Sequence, residues 1–312
     1  MPPIILILSV LVILAVAFWL NLYFAYKFAF GRNKKMEPAL LRGFDGDQPP
    51  ARARKRELIK ELASLPYEDV FITSYDGLKL RARYYKGKPD SPVAIGFHGY
   101  RSNALRDLAG LTTYYYHKGY DVIIVDERAH GMSEGKATTF GAKERFDVLS
   151  WSRYAEERFG KDKKIILFGL SMGAASIILA SALDLPDGVK LAVCDCPYSS
   201  ASTIIKKVCS DKKCPPKLAF PTINLGAKTF GRFNLSDSEP IKAIKEAKIP
   251  IFLVHGTADK LVPYKMSDSL AEAGKTVTYL RIDGAPHLLA MMCDEEGYIK
   301  ALEEHQNSIL NP

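Results

Sequence analysis

The chain opens on an apolar run with no periodicity. From Pro2 to Tyr26 there are 25 residues without a charge, and Ile4 to Leu20 are apolar but for Ser9. At about 1.5 Å per residue, a helix of that length crosses a hydrocarbon layer of about 30 Å. It has no polar face, unlike the amphipathic helices of soluble cores. It also lacks the positive n-region and small-residue cleavage site of a secretory signal. The pattern predicts an uncleaved anchor within residues 1–30, with Trp19, Tyr23 and Tyr26 at the lipid–water boundary.

Residues 31–66 change character. A Gly/Pro-bearing linker ends at Pro49-Pro50, and "ARARKRELIKELASL" then reads as a basic amphipathic helix with Leu58, Leu62 and Leu65 on one stripe. Such a helix either lies on anionic headgroups or packs on the folded body.

From Tyr67 the period changes again. "DVFITSYDGLKLRARYY" is two alternating runs around Asp76-Gly77, the signature of a hairpin. Six continuous apolar runs follow ("VAIGF", "DVIIVD", "KIILFGL", "KLAVCDC", "PIFLVHG" and "TVTYLRID"), as buried parallel strands read. Helical stretches near 103–118, 141–159, 172–184, 263–274 and 297–310 separate or follow them. The alternation predicts an α/β sheet with helices on both faces over residues 67–312. Residues 197–248 are too many for a simple crossover and predict an inserted lid or cap.

Charge refines this picture. The chain of 312 residues carries a net +8, but residues 27–60 alone hold ten Lys/Arg against four Asp/Glu. The body is nearly neutral, which argues against a nucleic-acid-binding protein, since that needs a basic face on the folded domain. Lys27, Arg32, Lys34 and Lys35 follow the span and only the amino terminus precedes it, so the positive-inside rule places the body on the cytoplasmic side. Five cysteines without framework spacing suit a reducing compartment. No His neighbours them, and no phosphate-cradling glycine loop appears, so the sequence implies neither a metal nor a cofactor.

The chemistry centres on Gly169-Leu170-Ser171-Met172-Gly173. Alone it says little, because about one chain in ten of this length carries G-x-S-x-G by chance, and a serine there also serves as a helix N-cap. Its context is more specific: an apolar strand turns directly into an Ala-rich helix, as a nucleophile elbow requires. A serine hydroxyl needs a base, and the base an acid to hold its tautomer. Asp259, in "HGTADKLVP", and His287, in "GAPH", follow in the order Ser, Asp, His, each just after its own strand. Asp195, in "VCDCPYS", also ends a strand and competes for the acid's role. The oxyanion of acyl transfer needs preorganised N–H donors. Met172, at the start of the helix, supplies one, and Tyr100, after the strand ending in His98-Gly99, supplies the other.

Taken together, "FHGYRSN", "VDERAHGMSEG", "FGLSMGA", "HGTADKLVP" and "GAPH" resemble the α/β-hydrolase superfamily, in its bacterial lysophospholipase-like or serine-aminopeptidase-like branch. The resemblance covers residues 67–312 and implies a mostly parallel sheet with a lid insertion. It implies Ser171 as nucleophile, Asp259 as acid, His287 as base, and Tyr100 and Met172 as oxyanion donors. It also implies that Asp126, Arg128 and Gly131 sit near the site floor, with His130 structural. The expected protein is a single-pass membrane serine hydrolase cleaving small-molecule or lipid carboxylic esters. Phe220, Leu225, Phe230 and Phe233 of the insertion would form its acyl pocket and lid. Amide or peptide hydrolysis on the same triad, or an inactive membrane scaffold, are the rival expectations.

Overall fold

The computed structural model describes residues 3–32 and 48–310. Most of the linker, with Lys34 and Lys35, lies outside the described residues. A long helix α1 (Pro3–Phe30) and a second helix α2 (Pro49–Ser64) precede the hairpin β1 (Glu68–Thr73) and β2 (Lys79–Tyr85). Then come β3 (Val93–Phe97), α3 (Ala104–His117), β4 (Asp121–Val125), α4 (Glu144–Phe159), β5 (Ile165–Leu170), α5 (Met172–Ala180) and β6 (Val189–Asp195). The insertion supplies α6 (Ala201–Asp211), α7 (Pro216–Gly226), a π-helical turn over Ala227–Gly231 and α8 (Pro240–Ala243). The chain closes with β7 (Ile251–Gly256), α9 (Lys265–Ala273), β8 (Val277–Ile282), α10 (Ala290–Cys293) and α11 (Glu295–Leu310).

All eight expected strands form one sheet in the order β1-β2-β4-β3-β5-β6-β7-β8. The pairs β1–β2 and β2–β4 are antiparallel and the remaining five are parallel. The hairpin turn is longer than the Asp76-Gly77 dipeptide suggests. Residues 74–78 form the loop, because the Ser74 hydroxyl bonds Asp76 and accepts from the Leu78 N–H, while Gly77 takes φ 85°. Both sheet faces are covered, by α2, α3, α10 and α11 on one side and α4, α5 and α9 on the other. This is the α/β-hydrolase architecture that the sequence predicts.

The two N-terminal helices are joined to this body. In α2 the residues Ala51, Lys55, Leu58, Ile59 and Leu62 are buried, so the helix packs on the body, chiefly against α3, and is not free to lie on headgroups. Each such buried Leu or Ile contributes about 1.5–3 kcal/mol over leaving it in water. In α1, Ile4 to Leu20 stay exposed, a stretch of about 26 Å. Leu22, Tyr26 and Phe30, spaced four apart on one face, are buried. Phe30 packs edge-on against Phe140 (5.8 Å) and Phe233 (5.1 Å), and Tyr26, Tyr23 and Trp19 gather around Phe230. The end of α1 thus shares a hydrophobic cluster with the insertion.

Candidate active site

The sharp turn between β5 and α5 is possible only with glycine on either side of Ser171. A Cβ on Gly173 would lie 2.1 Å from the Phe97 carbonyl oxygen, and one on Gly169 would lie 2.7 Å from the Gly173 carbonyl carbon. Ser171 itself takes φ 55°, ψ −115°, a sparsely populated conformation costing about 1–3 kcal/mol. Its N–H donates to the Asp195 carbonyl (2.8 Å), which helps hold that strain. The side chain makes no cap bond to α5, so capping does not explain the serine.

Asp259 lies in the loop after β7 and His287 in the loop after β8. Asp259 Oδ1 accepts the N–H groups of Leu261 (2.9 Å) and Val262 (2.8 Å), which fixes the carboxylate plane. Oδ2 accepts from His287 Nδ1 at 2.6 Å. That bond leaves His287 Nε2 as the nitrogen with a free lone pair, the tautomer a general base needs. His255 buttresses the loop from below. Its Nε2 lies 2.8 Å from the Val262 carbonyl and 3.2 Å from Asp259 Oδ2, while Nδ1 meets the Ser267 hydroxyl at 2.6 Å.

Electrostatics follow this geometry. Burial raises the Asp259 pKa, but His287, His255 and the Val262 N–H together bring it well below the usual carboxylate range. Burial lowers the His287 pKa, and the charge and hydrogen bond of Asp259 outweigh it, leaving a net upward shift from 6.5. A base acts only when neutral, so a raised pKa moves the acid limb of the rate profile to higher pH. We expect kcat/KM for ester hydrolysis to rise with pH through a midpoint above 6.5. In Asp259→Asn the opposing charge is gone, so the limb should move to lower pH. A wild-type midpoint below 6.5, or a limb unmoved in the variant, would contradict this electrostatic account.

Asp195 ends β6 and is almost fully buried, with Oδ1 unpartnered among the described residues. Burial pushes its pKa up to about 6. The carboxylate hydrogen-bonded to His287 is that of Asp259. Next to Asp195, the Cys196 thiol comes within 4.8 Å of the ligand atoms of Asp259 and His287. Burial holds that thiol protonated, and His287 Nδ1 is committed to Asp259, so this donor set does not suit a cation.

The expected oxyanion donors stand beside Ser171. Met172 opens α5, so its N–H lacks an intrahelical acceptor. Gly99 abuts Ser171, since a Cβ there would lie 3.4 Å from the Ser171 Cβ, and Tyr100 follows it. Asp107 holds this turn by accepting from the Gly99 N–H (2.9 Å) and the Ser102 hydroxyl (2.6 Å). His130 accepts from the Arg101 N–H at 3.0 Å, and burial lowers its pKa to about 3, so it stays neutral and structural. Arg128 ties the same loop to α4 and the hairpin through Asp147 (2.6 Å) and Asp76 (2.9 Å). Asp126 accepts from Arg81 and from the Met132 N–H, and Gly131 takes φ 48°.

One residue behind the site escaped sequence reasoning. Lys55 reaches from α2 through the core, and its Nζ donates to the Asp107 carbonyl (2.7 Å) and the Leu288 carbonyl (3.4 Å). It thereby ties the Gly99–Tyr100 turn to the loop of His287, which its own neighbour Leu288 continues. Burial lowers its pKa. The signal was present: position 55 falls on the same helical stripe as Ala51, Leu58 and Leu62.

Ser171 opens into a cavity of about 530 Å³ with a mainly apolar lining. Its walls include Tyr198, Ile204, Ile205, Val208 and Ile223 of the insertion, as a lid requires. The four residues expected there do not line it. Phe230 and Phe233 hold the end of α1, Phe220 lies under Lys206 (4.5 Å), and Leu225 points to solvent. Apolar character alone did not tell which of two neighbours, pocket or anchor helix, each side chain serves. Another part of the wall is Asn21, Ala25, Phe28 and Ala29 of α1 itself.

Comparison with known proteins agrees with this architecture. Residues 88–225 match the family described as serine aminopeptidase, S33. The chain is similar to the uncharacterized protein YqkD of Bacillus subtilis, at 24% identity over 71% of this chain and 73% of that one. The fold superposes on the Pyrococcus furiosus esterase Pf2001 with a TM-score of 0.64 and 26% identity, covering 80% of this chain and 95% of that one. A shorter similarity, 28% over 46% of each chain, links it to the thiohydrolase AneE of Aspergillus aculeatus.

Proposed function

We propose that this chain, which belongs to the α/β hydrolases, is a membrane-anchored serine hydrolase that cleaves carboxylic esters through an acyl-enzyme on Ser171. Ser171 Oγ attacks the ester carbonyl carbon while its proton passes to His287 Nε2. The N–H groups of Tyr100 and Met172 receive the oxyanion. Collapse expels the alcohol, which takes the proton back from His287. Water then attacks the acyl-enzyme with His287 again as base, releasing the acid and restoring Ser171. Asp259 stays ionised throughout, holding the imidazole and stabilising its positive charge.

The observation that carries this reading is the 2.6 Å bond between His287 Nδ1 and Asp259, together with a strained Ser171 whose side chain makes no cap bond. Two features support an ester with a greasy acyl group over an aminopeptidase substrate. The cavity is mainly apolar, and among the described residues that line it there is no carboxylate to meet a substrate ammonium. Anchoring is supported by the exposed apolar stretch of α1 and by the use of its last turns in the fold, which a cleaved signal would remove. The basic residues after the span orient the hydrolase toward the cytoplasm.

The test is labelling with a fluorophosphonate and hydrolysis of a panel of p-nitrophenyl esters by detergent-solubilised protein. Ser171-dependent labelling with turnover of at least one ester is expected. A folded protein that neither labels nor hydrolyses any ester would be the inactive scaffold.

A further inference from the structure

We infer that the last turns of the membrane helix are part of the acyl-binding site, so that the enzyme takes the acyl chain of an ester resident in its own bilayer. This rests on the reading of the protein as an anchored serine hydrolase and goes beyond it, because a tether need not touch the substrate.

The helix is held with more care than a tether requires. Tyr100, the proposed oxyanion residue, donates its hydroxyl to the Ala29 carbonyl (2.7 Å), and Arg101 donates to the Phe28 carbonyl. The Thr138 N–H donates to the Phe30 carbonyl, and the Arg32 N–H to the Lys136 carbonyl, both at 2.9 Å. The Arg32 guanidinium also caps the Ser133 carbonyl (2.8 Å). These bonds fix both the rotation and the depth of α1 relative to Ser171.

The rotation presents small residues to the cavity. Leu22, Tyr26 and Phe30 face the protein, and the adjacent positions Ala25 and Ala29 line the pocket. Between the α1 wall and α7 the mouth is rimmed by exposed Phe28 and Leu218. Directly beyond it, α1 continues as the exposed apolar stretch. An acyl chain leaving Ser171 along α1 therefore meets a mainly apolar surface, with Asn21 the one polar residue among the four that α1 gives the cavity. The segment 201–232, which supplies much of the cavity wall, holds seven Lys/Arg and one acid, Asp211, a charge suited to an anionic headgroup layer.

The discriminating measurement is the ratio of kcat/KM for p-nitrophenyl dodecanoate to that for p-nitrophenyl acetate, with full-length protein in nonionic detergent. The ratio does not depend on the fraction of enzyme that folds. Ala25→Trp fills the α1 side of the cavity and should lower the ratio at least about tenfold, with Ala25→Val intermediate. Val12→Trp, on a lipid-facing turn, should leave it unchanged. In phosphatidylcholine vesicles, p-nitrophenyl palmitate should be hydrolysed faster when it shares the vesicle with the protein than when the two are in separate populations. A ratio in Ala25→Trp within about twofold of wild type overturns the inference and leaves the hydrolase reading standing. Equal rates from shared and separate vesicles overturn uptake from the protein's own bilayer. A wild type that turns over neither short nor long ester overturns the hydrolase reading, and this inference with it.

Discussion

Ser171→Ala should lose ester turnover by a factor on the order of 10⁶ in kcat while the protein stays folded. The expectation is large because the acyl-enzyme cannot form without Oγ, and His287 then has no proton to accept. A residue of about 10³–10⁴ over the uncatalysed rate should survive, from the oxyanion donors and from binding. Stability should change little. The Ser171 side chain makes no cap bond, so its removal leaves no helix donor orphaned, and its N–H bond to the Asp195 carbonyl survives in Ala. Steady-state kinetics on p-nitrophenyl butyrate, with a urea midpoint as the folding control, decide the matter. Turnover within about tenfold of wild type would leave Ser171 a turn residue and nothing more.

Asp259→Asn should cost on the order of 10⁴ in kcat, and Asp195→Asn far less. The geometry explains why an isosteric amide is so damaging here. Oδ1 accepts two backbone N–H groups, so the amide must keep its oxygen on that side. The NH₂ group is then forced to the position of Oδ2, facing His287 Nδ1. It can only donate, which selects the imidazole tautomer whose Nε2 bears hydrogen and cannot take the Ser171 proton. Asp195 contributes a backbone carbonyl to Ser171, which the substitution retains, and its Oδ1 has no partner to lose. If Asp195→Asn is the crippled enzyme and Asp259→Asn is near normal, the acid has been assigned to the wrong strand end.

Much of this was legible before any coordinates. The eight strands are short apolar or alternating runs bounded by turn residues, and the sheet buries them as such. Ser171, Asp259 and His287 could be picked out because each follows a strand, and the ends of parallel strands converge on one edge of the sheet. What stayed hidden lies in contacts between distant segments. The run from Ile4 to Phe30 is apolar nearly all round, so periodicity cannot reveal that the face of Leu22, Tyr26 and Phe30 is docked. Lys55 sits in a cluster of basic residues, and only the core decides which of them is taken inside. Phe230 and Phe233 were right in kind and misplaced in partner, because α1 competes with the pocket for the same insertion.

The docking of α2 sets an order for how the protein is made. Lys55 bonds the Leu288 carbonyl across 233 residues, and Arg54 pairs with Glu295 at 2.9 Å. At about 5–20 residues per second, the ribosome needs roughly 10–50 s to supply those C-terminal partners after α2 has emerged. Well before then α3 and the Asp107 carbonyl are present to cover the apolar stripe of α2 and to take its lysine. The loop of His287 therefore closes last, onto an α2 already seated against α3, and the Leu288 and Glu295 contacts complete the site.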